Sequence, residues 1–429
     1  MIVEVNKDLS LFLAGELTVK ILNGEAEVFG YPYGENDTVK IEKNRSAPMI
    51  PTTDSLKIEV KVGEGGYITY LEGSLIPESW YSLAEELINT PRGTKIMVIG
   101  SVDVGKTGFI TFLANKFYKN GKKVTIVDAD TGQSSIGPPT MIGLGMVEKP
   151  LVYLTNSSLV DAYFVGSTTP ASVFQRSIVG TYKMVEKAEK LGADVVIIDT
   201  TGWIGDRGRE LKISKINLVK PDYLILVENE FGELFHIAKP FMFSGIKIKS
   251  VSPPPNLRAR SRDVRRQIRQ AIFAEFLEGG EVRELPISTV NLRYCYLGTG
   301  KPVPKEKLGE LGITINEDVY LEKSFDTILL YSESKDNLDP NIVEEIKTKL
   351  DVNSVLIVDA ETINGILVSL RDKDDKFLGL GIIKRFNPQT RTLEIYTKVN
   401  STDIKTVEVG HIKANEAGEE QGHIPPWSI

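Results

Sequence analysis

Residues 95–118, KIMVIGSVDVGKTGFITFLANKFY, decide the fold. They open on a short apolar run (KIMVIG), pass through G-x-x-x-x-G-K-[ST], and continue into a stretch with helical spacing (TGFITFLANKFY). Strand, glycine-rich loop and helix in that order form a phosphate-binding unit. The glycines let backbone N–H groups curl around phosphate oxygens, and the helix N-terminus adds its dipole. Gly100, Ser101, Val102, Asp103, Val104, Gly105, Lys106, Thr107 and Gly108 are therefore the nucleotide-binding candidates. Lys106 is expected to reach the β and γ phosphates, and the Thr107 hydroxyl to bind Mg²⁺.

Working outward, the apolar runs KKVTIVDAD, ADVVIIDTTG and DYLILVENE alternate with helical stretches, the pattern of buried parallel strands. Before residue 90 the chain has short alternating runs (LFLAGELTVKIL, GEAEVFGYPY, LKIEVKV, YITYLEG) punctuated by Gly, Pro and Asn. That is strand-and-turn chemistry. PESWYSLAEELINTPRG then predicts one helix ending at Pro91–Gly93. After residue 285 more strand-like segments follow (VNLRYCYLG, DTILLYS, SVLIVDA, LGLGIIKRF, TLEIYTKV), with one helix around Pro340–Leu350. The expected architecture is an α/β P-loop NTPase core, a parallel sheet flanked by helices, between two smaller β-rich domains. Its boundaries are 1–90, 91–285 and 286–429.

Composition narrows the function classes. Of 429 residues, 41% are hydrophobic and 25% charged, as in soluble globular proteins. No run of about 18 apolar residues is present to span a membrane, and MIVEVNKDLSLFLAGE does not read as a signal peptide. Cys295 is the single cysteine, which excludes a disulfide framework and points to the cytoplasm. One cysteine and three histidines argue against a zinc site. The net charge of −7 counts mildly against a nucleic-acid partner. An enzyme that grips only a chain end, however, needs a local basic patch rather than a basic protein.

Three acidic positions follow the phosphate loop. Asp199 ends the run DVVIID, the place of the usual Mg²⁺ partner beside a phosphate loop. Asp128 and Asp130 end KKVTIVDAD and lead into Thr131-Gly132-Gln133. Carboxylates at that strand tip lie beside the γ-phosphate in P-loop kinases, where one can accept the proton of an attacking hydroxyl. A structural Asp–Gly turn is the plainer alternative. Asp199-Thr-Thr-Gly202 also fits the D-x-x-G of GTPases. The guanine-reading N-K-x-D is absent downstream, and the later strand ends Leu226-Val-Glu-Asn-Glu230. Local positive charge sits in Arg258-Ala-Arg260-Ser-Arg262-Asp-Val-Arg265-Arg266-Gln-Ile-Arg269, six arginines with one acid. On a helix Arg258, Arg262, Arg265 and Arg269 share a face. In a phosphotransferase that stripe suits a lid over the transferring phosphoryl group, and a solvated basic helix is the alternative.

Together these motifs resemble the polynucleotide 5′-hydroxyl kinases, the family of the kinase subunit of the pre-mRNA cleavage factor, the rRNA-processing kinase and their archaeal relatives. The likeness rests on five features in family order: S-V-D-V-G-K-T, D-x-G-Q at Asp130–Gln133, F-x-G-S-T-T-P at Phe164–Pro170, T-G-W at Thr201–Trp203, and R-S-x-x-x-R-R at Arg260–Arg266. LNGEAEVFG also looks like the family's N-terminal β domain. The resemblance implies that Asp130 activates the 5′-hydroxyl. It implies that Gly166, Thr168 and Thr169 belong to a clasp on the terminal nucleotide, that Trp203 stacks on the nucleic acid, and that Arg260 and Arg265 are lid arginines; Gln133, by its place after Asp130, can hydrogen-bond a phosphate, a water or the substrate. Asp128 is the less securely matched acid.

The expected function is ATP- and Mg²⁺-dependent phosphorylation of RNA or DNA 5′-hydroxyl ends, with Lys106, Asp130, Arg260 and Arg265 catalytic and Thr107 and Asp199 on the metal. Subunits of an RNA-processing complex are the expected partners. Two rival readings are a non-catalytic ATP-binding assembly subunit and a P-loop GTPase.

Overall fold

The apolar runs of the central segment become buried strands because both faces of their sheet are covered. In the computed structural model, which describes residues 1–230, 232–255, 261–316, 319–334, 338 and 341–429, seven strands lie side by side. Their order is Ser158–Phe164, Met141–Met146, Val124–Ala129, Val195–Thr200, Thr94–Gly100, Tyr223–Val227 and Lys247–Val251. The last five are parallel to one another. Met141–Met146 runs antiparallel to Val124–Ala129, so the sheet is mixed at one side. The sequence reading did not foresee the strands at Met141–Met146, Ser158–Phe164 and Lys247–Val251. MIGLGM carries two glycines, and KIKSV carries two lysines on a half-exposed edge.

Helices close the sheet. The phosphate-loop helix Lys106–Lys119 buries Phe109, Phe112, Leu113 and Phe117 completely. Each such side chain contributes about 2–3 kcal/mol when taken from water. The expected helix near residue 80 runs Glu78–Ile88. Its Trp80 packs edge-on against Phe109 and donates its indole N–H to the Ser252 carbonyl at 2.8 Å.

The segment before residue 75 forms two antiparallel sheets around one apolar core. One has the order Ile2–Asn6, Ser55–Val62, Leu17–Asn23 and Thr38–Ile41. The other has Tyr31–Tyr33, Ala26–Val28, Ser46–Pro51, Leu9–Ala14 and Tyr67–Glu72. It is joined to the phosphate-loop helix through Asn115, whose amide donates to the carbonyls of Phe29 and Leu151 and accepts from the Leu151 N–H, each at 2.8 Å.

The chain divides into two compact units. The first holds Met1–Gly137, Ile142–Tyr163 and Phe174–Ser261, and the second holds Pro138–Met141, Phe164–Val173 and Arg262–Ile429. The early β strands thus group with the phosphate-loop sheet, where the sequence reading drew a boundary near residue 90. The helix Arg262–Leu277 groups with the C-terminal strands, where that reading drew one near residue 285. In the second unit one sheet has the order Glu281–Pro286, Thr392–Thr397, Phe377–Asn387, Ile366–Arg371, Thr406–Ala414 and Asn291–Arg293. A smaller one has Lys301–Pro302, Tyr320–Ser324, Thr327–Ser332 and Ser354–Asp359, with the helix Ile342–Leu350 packed into its core. No helix among the described residues is long and apolar enough to cross a membrane.

Candidate active site

The phosphate loop leaves its strand at Gly100 and enters its helix at Lys106. Between them Asp103 (φ 57°) and Gly105 (φ 91°) take left-handed backbone conformations, which curl the loop. The Lys106 ammonium reaches back across the loop to the Ser101 carbonyl at 2.6 Å. Burial pulls its pKa below the ordinary lysine range, against the pull of Asp199, Asp130 and Asp103. Val102, beside Ser101, is exposed at the loop tip.

Asp199 ends the central strand, next to the phosphate-loop strand, and accepts the Thr107 hydroxyl at 3.1 Å. Burial pushes Asp199 up to about 6. The Lys106 ammonium opposes that rise and Asp130 adds to it. Two hard oxygens, one neutral and one anionic, therefore meet at the mouth of the loop, a donor pair suited to Mg²⁺.

Asp128 stands directly opposite Asp199 on the neighbouring parallel strand. Its carboxylate accepts backbone N–H groups from Ser135 at 2.5 Å, Asp130 at 3.0 Å and Ile136 at 3.1 Å. It organises the loop that follows it, and burial with Asp199 and Asp130 nearby pushes it up to about 8. Asp130 is anchored through one oxygen only. Its Oδ1 accepts from the Gly132 N–H at 3.1 Å and the Gln133 N–H at 3.2 Å, while Oδ2 accepts no hydrogen bond from a described residue. The turn that the sequence offered as the plainer alternative is thus present at Asp130. Gln133 is half-buried on the same turn.

The segment after Asp199 borders the phosphate loop. A Cβ on Gly202 would stand 2.7 Å from the backbone N and Cα of Val102, so only glycine permits this approach. Trp203 follows, half-buried. Gly208, in the first turn of the helix Asp206–Val219, backs it so closely that a Cβ there would lie 2.7 Å from the indole Cγ. His236 contacts the Ile204 carbonyl at 3.1 Å.

That helix carries residues the sequence reading missed. Lys212 and Lys215 are fully buried. Lys212 donates to the Thr201 carbonyl at 2.6 Å and to its hydroxyl at 2.8 Å. Burial pulls both ammonium groups below the ordinary lysine range, Lys215 to about 8, where Asp130 and Asp128 oppose the fall. A signal was present: positions 208, 211, 212, 215, 216 and 219 form one helical stripe, and two of its members are lysine. Lysine on an inward stripe is rare enough to mark.

The clasp residues and Arg265 lie in the second unit. Gly166 is buried; its N–H donates to the Thr140 carbonyl at 3.0 Å and its carbonyl accepts the His411 N–H at 2.7 Å. The segment Gly166–Pro170 is thereby laid along the strand Thr406–Ala414. Thr168 is half-buried and Thr169 exposed, its N–H held by the Ser167 hydroxyl at 3.2 Å. A cavity of about 400 Å³ opens beside it, lined by Ser167, Thr169, Ser172, His411, His423 and Pro425 among others. The arginine stripe needs correction. Its helix begins at Arg262, and Arg258 and Arg260 lie outside the described residues. Arg269 is engaged with Glu420 at 2.5 Å, and Arg266 donates to the Glu420 carbonyl at 3.1 Å. These two guanidinium groups fasten the helix to its own unit. Arg265 is half-buried on the same helix.

The strand Tyr223–Val227 leads into Glu228, whose carboxylate is engaged by neighbouring groups. Glu228 accepts from the Gly232 and Leu234 N–H groups and from the Ser250 hydroxyl.

Residues 100–279 match the family model described as the P-loop of mRNA cleavage and polyadenylation factor CLP1. A polyribonucleotide 5′-hydroxyl-kinase of Methanocaldococcus jannaschii is 34% identical, over 82% of this chain and 96% of its own length. One from Pyrococcus furiosus is 36% identical, over 81% and 95%. Among solved structures, Clp1p in complex with Pcf11p aligns over 96% of this chain and 97% of its own, with TM-score 0.64 and 13% identity, a likeness of fold.

Proposed function

The chain belongs to the polyribonucleotide 5′-hydroxyl-kinase family, and from that premise we propose that it transfers the γ-phosphate of ATP to the 5′-hydroxyl end of RNA. The observation that carries the reading is Asp130. Its carboxylate is locked by two backbone N–H bonds on one oxygen, with the other open, at the tip of a strand whose neighbour ends in Asp199. A general base needs that combination of fixed aim and a free lone pair.

In this reading the phosphate-loop N–H groups and Lys106 hold the triphosphate. Thr107 and Asp199 hold Mg²⁺, which supplies neutralising charge on the phosphate oxygens. The 5′-hydroxyl attacks the γ-phosphorus in line, Asp130 takes its proton, and ADP leaves. Lys106 balances charge on the equatorial oxygens. Arg260 and Arg265 add positive charge, while Gly166, Thr168, Thr169, Gln133 and Trp203 hold the terminal nucleotide. Trp203 suits the role physically, since an aromatic face stacks on any base without reading sequence. DNA ends are a further substrate in the same proposal, and RNA-processing subunits its partners.

The test is transfer of labelled phosphate from ATP to a 5′-hydroxyl oligoribonucleotide. Absence of transfer under conditions where ATP binds would sink the reading. Asp130→Asn is expected to lower kcat by about 10²–10⁴-fold while ATP affinity holds. A wild-type rate in that variant would remove Asp130 from the base role.

A further inference from the structure

Lysine is a poor residue for a buried helix face. Its ammonium gives up hydration, and an apolar side chain of like volume serves the packing as well or better. The inward stripe of the helix Asp206–Val219 is otherwise filled by Gly208, Leu211, Ile216 and Val219, yet it places Lys212 and Lys215 at its centre, both with no exposed surface. Lys212 spends two of its donors on a single residue, the carbonyl and hydroxyl of Thr201. Lys215, a turn further on, meets no hydrogen-bond acceptor among the described residues. These bonds converge on the tip of the strand that carries Asp199.

We propose that Lys212 is a positioning residue for phosphoryl transfer, pinning Thr201 so that the next two residues each hold a separate part of the site. Gly202 lies against the backbone of Val102 in the phosphate loop. Trp203 packs against Gly208 of the same helix. The pin is therefore a common support for the nucleotide side and the stacking side, and the helix Asp206–Val219 provides both the pin and the seat of the indole. Lys212 touches no reacting atom; it acts through Thr201.

The functional half of the inference rests on the kinase reading, and the experiment separates the two. Wild type and Lys212→Met are compared in oligonucleotide phosphorylation with labelled ATP, and their melting temperatures are recorded without nucleotide. If wild type transfers no phosphate, the kinase reading fails. With wild type active, the expected result is a fall in kcat/KM for the oligonucleotide of at least about tenfold, with melting temperature kept or raised, because methionine fills the volume without burying charge. Activity within about threefold of wild type overturns the proposal. So does a rate loss matched by a lost fraction of folded protein, since that marks a purely structural lysine. Thr201→Val keeps shape and removes one of the two acceptors, which covers a Lys212→Met variant that fails to fold. It is expected to lower kcat/KM by about three- to tenfold, and an unchanged value again overturns the proposal.

Discussion

Replacing Gly202 by alanine tests whether the T-G-W segment and the phosphate loop form one mechanical piece. A Cβ built at Gly202 stands 2.7 Å from the Val102 nitrogen and Cα and 2.6 Å from its Cγ2. The Cγ2 can rotate away, but the backbone atoms cannot. Ordinary contact begins near 3.4 Å, so either the loop or the segment after Asp199 must retreat by about 0.7 Å. Val102 sits between Gly100 and Lys106, so a retreat of that size displaces the N–H groups that cradle the triphosphate. Misplacing reacting groups by about 1 Å lowers rates by about a hundredfold, so Gly202→Ala is expected to lower kcat by roughly 10- to 100-fold. Gly202 has no left-handed φ, so the alanine backbone is itself unstrained and the fold should survive. The assay is steady-state phosphorylation of a 5′-hydroxyl oligoribonucleotide at saturating ATP, beside a thermal melt. A kcat within about threefold of wild type, at unchanged melting temperature, would refute the reasoning and show that the two segments move apart without consequence.

Asn115→Ala removes an amide that satisfies Phe29, and both backbone groups of Leu151, in a fully buried place. It is expected to lower unfolding free energy by about 3 kcal/mol, measured by urea denaturation. The buried acids make stability without nucleotide depend on pH. The folded-state pKa of Asp128 is raised, to about 8, so the folded protein holds a proton that the unfolded chain has already lost. Stability from this group is full below its unfolded pKa near 4 and is lost as pH climbs through 8. Asp128→Asn is therefore expected to flatten the melting-temperature profile between pH 4 and pH 8, and an unchanged slope would show that Asp128 titrates normally.

The phosphate loop was readable in sequence because its meaning is local. Strand, left-handed turn and helix follow one another within residues 94–119, so the whole loop is built from consecutive residues. Asp130 and Asp199 were readable for a related reason: a buried strand that ends in an acid must present it at the sheet's C-terminal edge, where the loop lies. The turn role of Asp128 was half readable, since its partners Ser135 and Ile136 follow closely in the chain.

What remained hidden depends on contacts that no short window contains. Arg269 looked like a lid residue until the structure paired it with Glu420, 151 positions away. Lys212 and Lys215 escaped the sequence reading, because their partners are set by which face of Asp206–Val219 turns inward. Gly202 matched a motif, but its steric reason is Val102, brought alongside by the pairing of two parallel strands. The nucleotide chemistry was legible from the residues alone, because it is written in consecutive positions. Which charges are buried, which are already paired, and which loop leans on which emerge with folding, because burial and pairing are properties of the packed chain rather than of any segment of it.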